Sequence, residues 1–338
     1  MRIAVTGSVA TDHLMTFDGR FADNLVAERL EKVSVSFLVS ELHIRRGGVA
    51  ANIAFGLGCL GVNPFLVAAA GTDFDEYRAW LERHGVDCGG VRISSTAHTS
   101  RFVCTTDRDQ AQIASFYPGA MSEAKEIELA AVTGGQPLDL VVVCPNDPAA
   151  MLRHTRECRA AGVSFAADPS QQLTWSDGEL VRDLIDGADY LFSNDYEAAL
   201  IQRKTGWSDA DVLARVGVRV TTYGEDGVVV ESGTGGRRER TDGGPWRLEV
   251  PVVPARRIAD PTGVGDAFRA GFLGGLAWGL DHRSCAELGS AMATLVIETV
   301  GTQEYVIEPG ELAARIEAAY GPATAGEVER RLALVPER

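Results

Sequence analysis

The stretch DPTGVGDAFRAGFLGGLAWG, Asp260 to Gly279, sets a glycine turn between two aspartates and then runs into an apolar helical pattern. A helix N-terminus offers unpaired backbone N–H groups and the positive end of the helix dipole, which makes it an anion site. Gly263 and Gly265 have no Cβ and let an anion approach that backbone closely. A carboxylate beside an anion site is electrostatically unhelpful unless it has a task. Taking a proton from a hydroxyl while a phosphoryl group lands on it is such a task, and Asp266 stands where it could do so.

Outward from this turn, the chain reads as α/β. RIAVTG, PFLVAAAG, LDLVVVCP, VSFAADP, DYLFSN and VRVTTYG are apolar runs of strand length. Between them, FDEYRAWLERHG, DPAAMLRHTRECRAAG, DGELVRDLIDG and DYEAALIQRKTG carry helical spacing. Continuous rather than alternating apolar strands, each followed by a helix, predict a mostly parallel sheet covered on both faces. Ligands of such sheets sit at the carboxyl ends of the strands.

Two segments break this rhythm by alternating apolar and polar residues: VSVSFLVSELHI (Val33 to Ile44) and RFVCTTDRDQAQIASFYPG (Arg101 to Gly119). Alternation indicates strands with one solvated face. The expectation is a small separate sheet built from two insertions, at about 13–47 and 98–119, serving as a flap over a site or as an ornamental edge. Val33, Val35, Phe37 and Val39 would give one strand of it an apolar side. Read as a hairpin centred on Asp109, the second segment pairs Phe102 with Phe116, Cys104 with Ala114 and Thr106 with Gln112. The two rings then share one face of the flap.

Composition narrows the function classes. Hydrophobic residues make up 45% and charged residues 23% of the 338, an ordinary globular mix that argues against disorder. A net charge of −15 argues against a nucleic-acid or anionic-membrane surface. The six cysteines form no CxxC pair, so neither a zinc site nor a disulfide framework is expected. MRIAVTGSVA lacks the apolar core of a signal peptide, and no apolar run is long enough to span a bilayer. A cytoplasmic protein is expected. SGTGGRRERTDGGP reads as an exposed hairpin loop.

Further motifs are weak when taken singly. GGVAANIA leads Gly47 and Gly48 into a helix carrying Asn52, a ligand-admitting helix start or an ordinary strand-to-helix turn. NDYE puts Asn194 and Glu197 three apart on one face of a first helical turn. Oxygen ligands there suit a hydrated Mg²⁺, and the same pair fits a capping box, so both readings can hold together. TTYGEDGV could hold a nucleotide or be a plain hairpin. GLGCLG (Gly56 to Gly61) matches GxGxxG, but a helical run precedes it and a strand follows, which is the wrong context for a dinucleotide fingerprint. It reads as a helix end, and an oxidoreductase is rejected.

The order of these motifs is more specific than any one of them. A GG-helix near 47, N-x-x-E near 194, T-x-G-x-x-G near 222 and D-x-x-G-x-G-D near 260 resemble the PfkB/ribokinase family of carbohydrate and nucleoside kinases. The resemblance covers almost the whole chain, although Pro261 and Val264 depart from that family's usual D-T-x-G-A-G-D. TGSVATDHL, SFLVSELHIRRGG, AQIASFYPGAMSEA and DPSQQL look closer still to the actinobacterial adenosine kinases.

The resemblance implies one domain over 1–338 with a three-layer α/β/α ribokinase-like fold, a mostly parallel central sheet and a β-sheet lid. It implies phosphorylation of the adenosine 5′-hydroxyl by ATP with Mg²⁺, and leaves room for a monovalent cation. Asp266 would be the base, with Gly263, Val264 and Gly265 as the anion hole. Asn194 and Glu197 would organise Mg²⁺ through water, and Thr222, Gly224 and Gly227 would line the ATP site. Asp12, Gly48 and Asn52 would grip the sugar, with Ser8, Ser36, Gln171 and Gln172 as further pocket residues. Phe102 and Phe116 would clamp the base. Relatives that pair through their lids imply a homodimer. Rival readings are a sugar kinase or another nucleoside kinase of the same fold, and a non-catalytic ligand-binding relative, against which the intact Asp266 counts.

Overall fold

All six continuous apolar runs form strands of one sheet. The computed structural model describes residues 1–25, 31–32, 34–236 and 244–336. Among them the strands are, in chain order, β1 Ile3–Thr6, β2 Ala10–Phe17, β3 Glu41–Gly47, β4 Phe65–Ala70, β5 Asp87–Ile93, β6 Ser100–Asp107 and β7 Gln112–Tyr117. There follow β8 Leu140–Val143, β9 Phe165–Ala167, β10 Tyr190–Asn194, β11 Val218–Thr222, β12 Val228–Ser232 and β13 Arg247–Val250.

The large sheet has the order β13-β12-β11-β10-β9-β8-β1-β4-β5. Its strands are parallel except at one edge, where β11, β12 and β13 pair antiparallel. Successive residues of each strand feed opposite cores, which is why the runs are apolar throughout. Val5, Leu66, Val142 and Phe192 pack with helices Val49–Cys59, Val264–Trp278 and His282–Ile297 on one side. Ala4, Val67, Val141 and Leu191 pack with helices Pro148–Ala161 and Gly178–Ile185 on the other. Each large side chain so buried contributes roughly 1.5–3 kcal/mol relative to exposure. The result is the three-layer α/β/α arrangement. The chain runs outward from β1 through β4 to β5 in one direction and through β8 to β11 in the other, so the order reverses between β1 and β8. A ligand crevice is expected outside the carboxyl ends at that reversal.

The small sheet has the order β3-β2-β6-β7. Its β6–β7 hairpin pairs Phe102 with Phe116, Cys104 with Ala114 and Thr106 with Gln112, the register read from the sequence. The other alternating segment departs from its reading. Residues 34–39 form no strand, and pairing starts at Glu41. Phe37 instead packs against Phe17 and Phe21, with ring centroids 5.0 and 4.8 Å apart. Burying that ring in an aromatic cluster competes with holding the segment in a ladder. Val33 lies outside the described residues.

GLGCLG is a helix end. Helix Val49–Cys59 stops inside it, and β4 follows. TTYGEDGV is a hairpin turn between β11 and β12. The loop of SGTGGRRERTDGGP falls partly on 237–243, outside the described residues, while its flanks β12 and β13 pair antiparallel as a hairpin requires. None of the six cysteines is in a disulfide. No described helix is long and apolar enough to cross a membrane.

Candidate active site

A cavity of about 780 Å³ opens where the strand order reverses. Ser8 follows β1, Pro145 follows β8, Ser170 to Gln172 follow β9, Asn194 ends β10 with Asp195 to Glu197 opening the next helix, and Thr222 ends β11 with Gly224 just beyond it. Asp12, Phe102 and Phe116 reach it from one face of the small sheet, and Gly263, Gly265 and Asp266 from the start of helix Val264–Trp278. Almost every residue singled out in the sequence therefore meets in one place.

Gly263 holds the left-handed turn before that helix (φ 78°), which leaves the helix start uncovered toward the cavity. Asp266 stands in the first turn. Burial pushes its carboxyl up to about 6, with the charge of Arg269 and the bond from Asn52 opposing and Glu197 adding to the rise. A base that titrates near neutrality is what a hydroxyl proton needs.

The orientation of Asn52 follows from a chain of hydrogen bonds. The Tyr77 hydroxyl donates to the Gly47 carbonyl at 2.9 Å, so it must accept from Gln303 Nε2 at 2.5 Å. The same Gln303 amide N–H group donates to Asn52 Oδ1 at 2.8 Å. Asn52 therefore turns its Nδ2 to Asp266 Oδ2 at 2.8 Å. Thr302 Oγ1 lies 2.9 Å from both Asn52 Oδ1 and the Arg46 carbonyl. Asn52 thus orients the carboxylate and keeps one amide N–H for a ligand. No sequence spacing announced Tyr77, Thr302 or Gln303.

Gly48 has φ 95°, and a Cβ there would lie 2.6 Å from the Ser8 carbonyl oxygen and 2.7 Å from Val9 Cα. The Ser8 hydroxyl accepts from the Val49 N–H at 3.0 Å, fixing the start of the helix that carries Asn52. Burial, then the charge of Asp260, pushes Asp12 up to about 6. Asp260 itself is committed to the fold, accepting from the N–H groups of Thr262 and Gly301. Asn194 and Glu197 form the capping box: Glu197 N–H donates to Asn194 Oδ1 at 2.7 Å, and Asn194 N–H to Glu197 Oε2 at 2.8 Å. Both also line the cavity, so the two readings of NDYE coexist. Ser170, beside Gln171, holds a positive φ of 43°, a strained conformation of the kind that concentrates at ligand sites.

Three expected residues do not line the cavity. Ser36 is exposed in the segment that forms no strand. Gly227 backs onto β13, where a Cβ would lie 2.3 Å from the Val250 carbonyl oxygen, so its glycine serves the hairpin. Val264 packs its side chain against the core.

Two further residues were missed. Arg269 lines the cavity floor, with Nη2 donating to Asp168 Oδ1 at 2.7 Å and lying 4.0 Å from Glu197 Oε2. Asp168, at the end of β9, is fully buried, and burial pushes it up to about 7 against the pull of Arg269. The spacing of Arg269 from Asp266 was readable, since residues three apart share a helix face.

Comparison with known proteins identifies the family. The model of the pfkB family carbohydrate kinases matches residues 6–308. A nucleoside kinase of Methanothermobacter thermautotrophicus is 30% identical over 292 residues, covering 85% of this chain and 90% of that protein. The structure of Burkholderia thailandensis nucleoside kinase in complex with inosine has a TM-score of 0.79 at 35% identity, covering 94% of this chain and 98% of that one. The complex of that kinase with ADP-inosine has a TM-score of 0.77 at 35% identity, covering 94% and 96%. The chain belongs to the pfkB carbohydrate kinase family. It is an ATP-dependent phosphotransferase of the ribokinase-like fold, acting on a nucleoside or a sugar.

Proposed function

We propose that this chain is a nucleoside kinase that transfers the γ-phosphoryl group of ATP to a nucleoside 5′-hydroxyl, with adenosine as its substrate. The carrying observation is that one cavity joins Asp266 at an open helix start to Phe102 and Phe116, cross-strand neighbours on β6 and β7. The relatives named as nucleoside kinases, one of them seen with inosine, support the same class.

Asp266 accepts the 5′-hydroxyl proton, held in place by Asn52. Backbone N–H groups at Gly263 and Gly265 face the charge that builds on the phosphoryl oxygens. Asp12 and the spare N–H of Asn52 receive the ribose hydroxyls. Thr222 and Gly224 border the ATP half. A carboxylate and an amide oxygen at the end of β10 fit a magnesium ion held through its waters, with Asn194 and Glu197 as the outer partners. Bound there, the ion would neutralise charge on the phosphates. Use of ATP would suit work in the cytoplasm.

The test is ADP release from ATP and Mg²⁺ with a panel of nucleosides and free sugars. Adenosine is expected to be turned over with kcat/KM at least ~10-fold above ribose and fructose, the order of a single stacking contact. Equal or better use of ribose would make the chain a sugar kinase.

We also propose a homodimer joined through the small sheet. Strand alternation puts Leu42, Ile44, Ile113 and Tyr117 on the face opposite Asp12, Phe102 and Phe116. Leu42 is 54% and Ile44 60% exposed, a cluster of apolar side chains that a second copy would cover. Light scattering at micromolar concentration should report a dimer, and Ile44→Glu a monomer. A monomeric parent contradicts this.

A further inference from the structure

The cavity is lined by four carboxylates, Asp12, Asp195, Glu197 and Asp266, and, among the described residues, by a single cationic side chain, Arg269. That is an odd balance for a site that must gather the negative charge of a phosphoryl group. The helix start alone supplies only about half a positive charge.

Arg269 is built to reach that position. Helical side chains lean toward the N-terminus of their helix, so an arginine three residues after Asp266 brings its guanidinium back beneath the first turn. A Cβ placed on Gly265 would lie 2.7 Å from Arg269 Nη1, so the guanidinium fills the space that glycine leaves at the anion hole. Nη2 is fixed by the fully buried Asp168 at 2.7 Å. Nη1 makes no hydrogen bond among the described residues, and Nε is buried without a partner. The guanidinium thus lies between the glycine turn and Glu197, the proposed anion hole and the proposed magnesium partner, and one of its N–H arms is unspent.

We propose that Arg269 is a catalytic residue whose Nη1 donates to a non-bridging oxygen of the phosphoryl group in transit, while Asp168 holds it in place. This rests on the kinase reading and holds whichever hydroxyl is the acceptor. In the step, the acceptor oxygen bonds to the γ-phosphorus as its proton passes to Asp266. The bond from that phosphorus to the β–γ bridging oxygen breaks, and its electron pair leaves with ADP. Arg269 gives up no proton; its bond strengthens as charge spreads onto the equatorial oxygens.

The rival is that Arg269 only neutralises Asp168. The two are separated by Arg269→Met, Arg269→Lys and the double variant Arg269→Met/Asp168→Asn, each measured against the parent with its best acceptor. Loss of one such donor is expected to lower kcat roughly 10²–10³-fold. KM should move little, because the contact forms only in the transition state. The double variant has no unpaired buried charge and should remain as slow as the single one. It also decides the matter if Arg269→Met alone fails to fold. Arg269→Lys keeps the charge and the pair but loses the fork, and should stay at least ~10-fold slow with an unchanged Tm. Inhibition by ADP with aluminium fluoride, a planar mimic of the phosphoryl in transit, should be lost in all three while ADP alone still binds. A double variant within a few-fold of the parent in kcat, or one still inhibited by ADP with aluminium fluoride, overturns the proposal. A parent that releases no ADP with any acceptor would instead overturn the kinase reading.

Discussion

Replacing Asp266 by Asn is expected to lower kcat by roughly 10²–10⁴-fold, the usual contribution of a positioned general base. Nucleoside affinity should change little. The substitution keeps the shape of the side chain, and the new amide oxygen can still accept from Asn52 Nδ2, now at 2.8 Å from the carboxylate. Only the ability to take a proton is lost. The parent should show the same dependence in its pH profile, with kcat/KM falling as the pH drops through about 6 and protons occupy Asp266. The stability effect has the opposite sign. A folded-state value of about 6 against 3.8 unfolded means the native state binds this proton more tightly. The stabilisation is therefore full below 3.8 and is lost as pH rises through about 6, above which the whole cost of the buried charge is felt. At neutral pH the neutral Asn should hold or raise Tm. Steady-state kinetics with a thermal melt check both parts. A variant slowed by less than about tenfold would mean that the proton goes elsewhere.

The second large effect is expected at the aromatic pair. Phe102 and Phe116 are directly opposed on β6 and β7 and share the cavity face with Asp12. Phe116 is 51% exposed, which is poor use of a ring unless something covers it. A purine under or between these rings could gain roughly 1–3 kcal/mol by stacking, judging by alanine substitutions in single-strand nucleic-acid binders. Phe102→Ala and Phe116→Ala should then raise KM for adenosine and inosine by about 5- to 150-fold. A free sugar has no flat face to stack, so values for ribose should hardly move. A plain cross-strand pair that steadies the small sheet would instead lower Tm and leave the ratio of adenosine to ribose unchanged. That second pattern, from kinetics on all three substrates, would remove the clamp from the account.

What could be read from the sequence follows the range of the forces involved. Strands β1, β4 and β8 to β11 announced themselves because residues facing two cores must be apolar at every position. Strand β5, DCGGVRI, did not, since its paired glycines and charged ends hide the pattern. The β6–β7 register was legible because a hairpin is local. The fate of Phe37 was not, because its partners Phe17 and Phe21 lie across the small sheet's first insertion. The site divides the same way. Asp266, Gly263, Gly265, Asn194 and Glu197 carry short-range signals at helix starts, and the fold brings them together. Gln303 and Tyr77 act on Asn52 and Gly47 from distant points in the chain, so only the fold reveals them. Gly227 and Val264 sit inside motifs whose neighbours line the cavity while their own positions turn to the β12–β13 edge and the core, which leaves Val264 only its backbone N–H to offer at the helix start.

The central claim is that one cavity brings a nucleoside 5′-hydroxyl to Asp266 for phosphorylation by ATP. Parallel incubation with adenosine and with 5′-deoxyadenosine, following ADP and the phosphorylated product by ³¹P NMR, tests it most directly. Adenosine should consume ATP one for one and yield only the 5′-monophosphate. 5′-Deoxyadenosine should compete with adenosine for binding and yield neither ADP nor a phosphorylated nucleoside. Phosphorylation of 5′-deoxyadenosine, a phosphate on O2′ or O3′ of adenosine, or no transfer to any nucleoside would contradict the account.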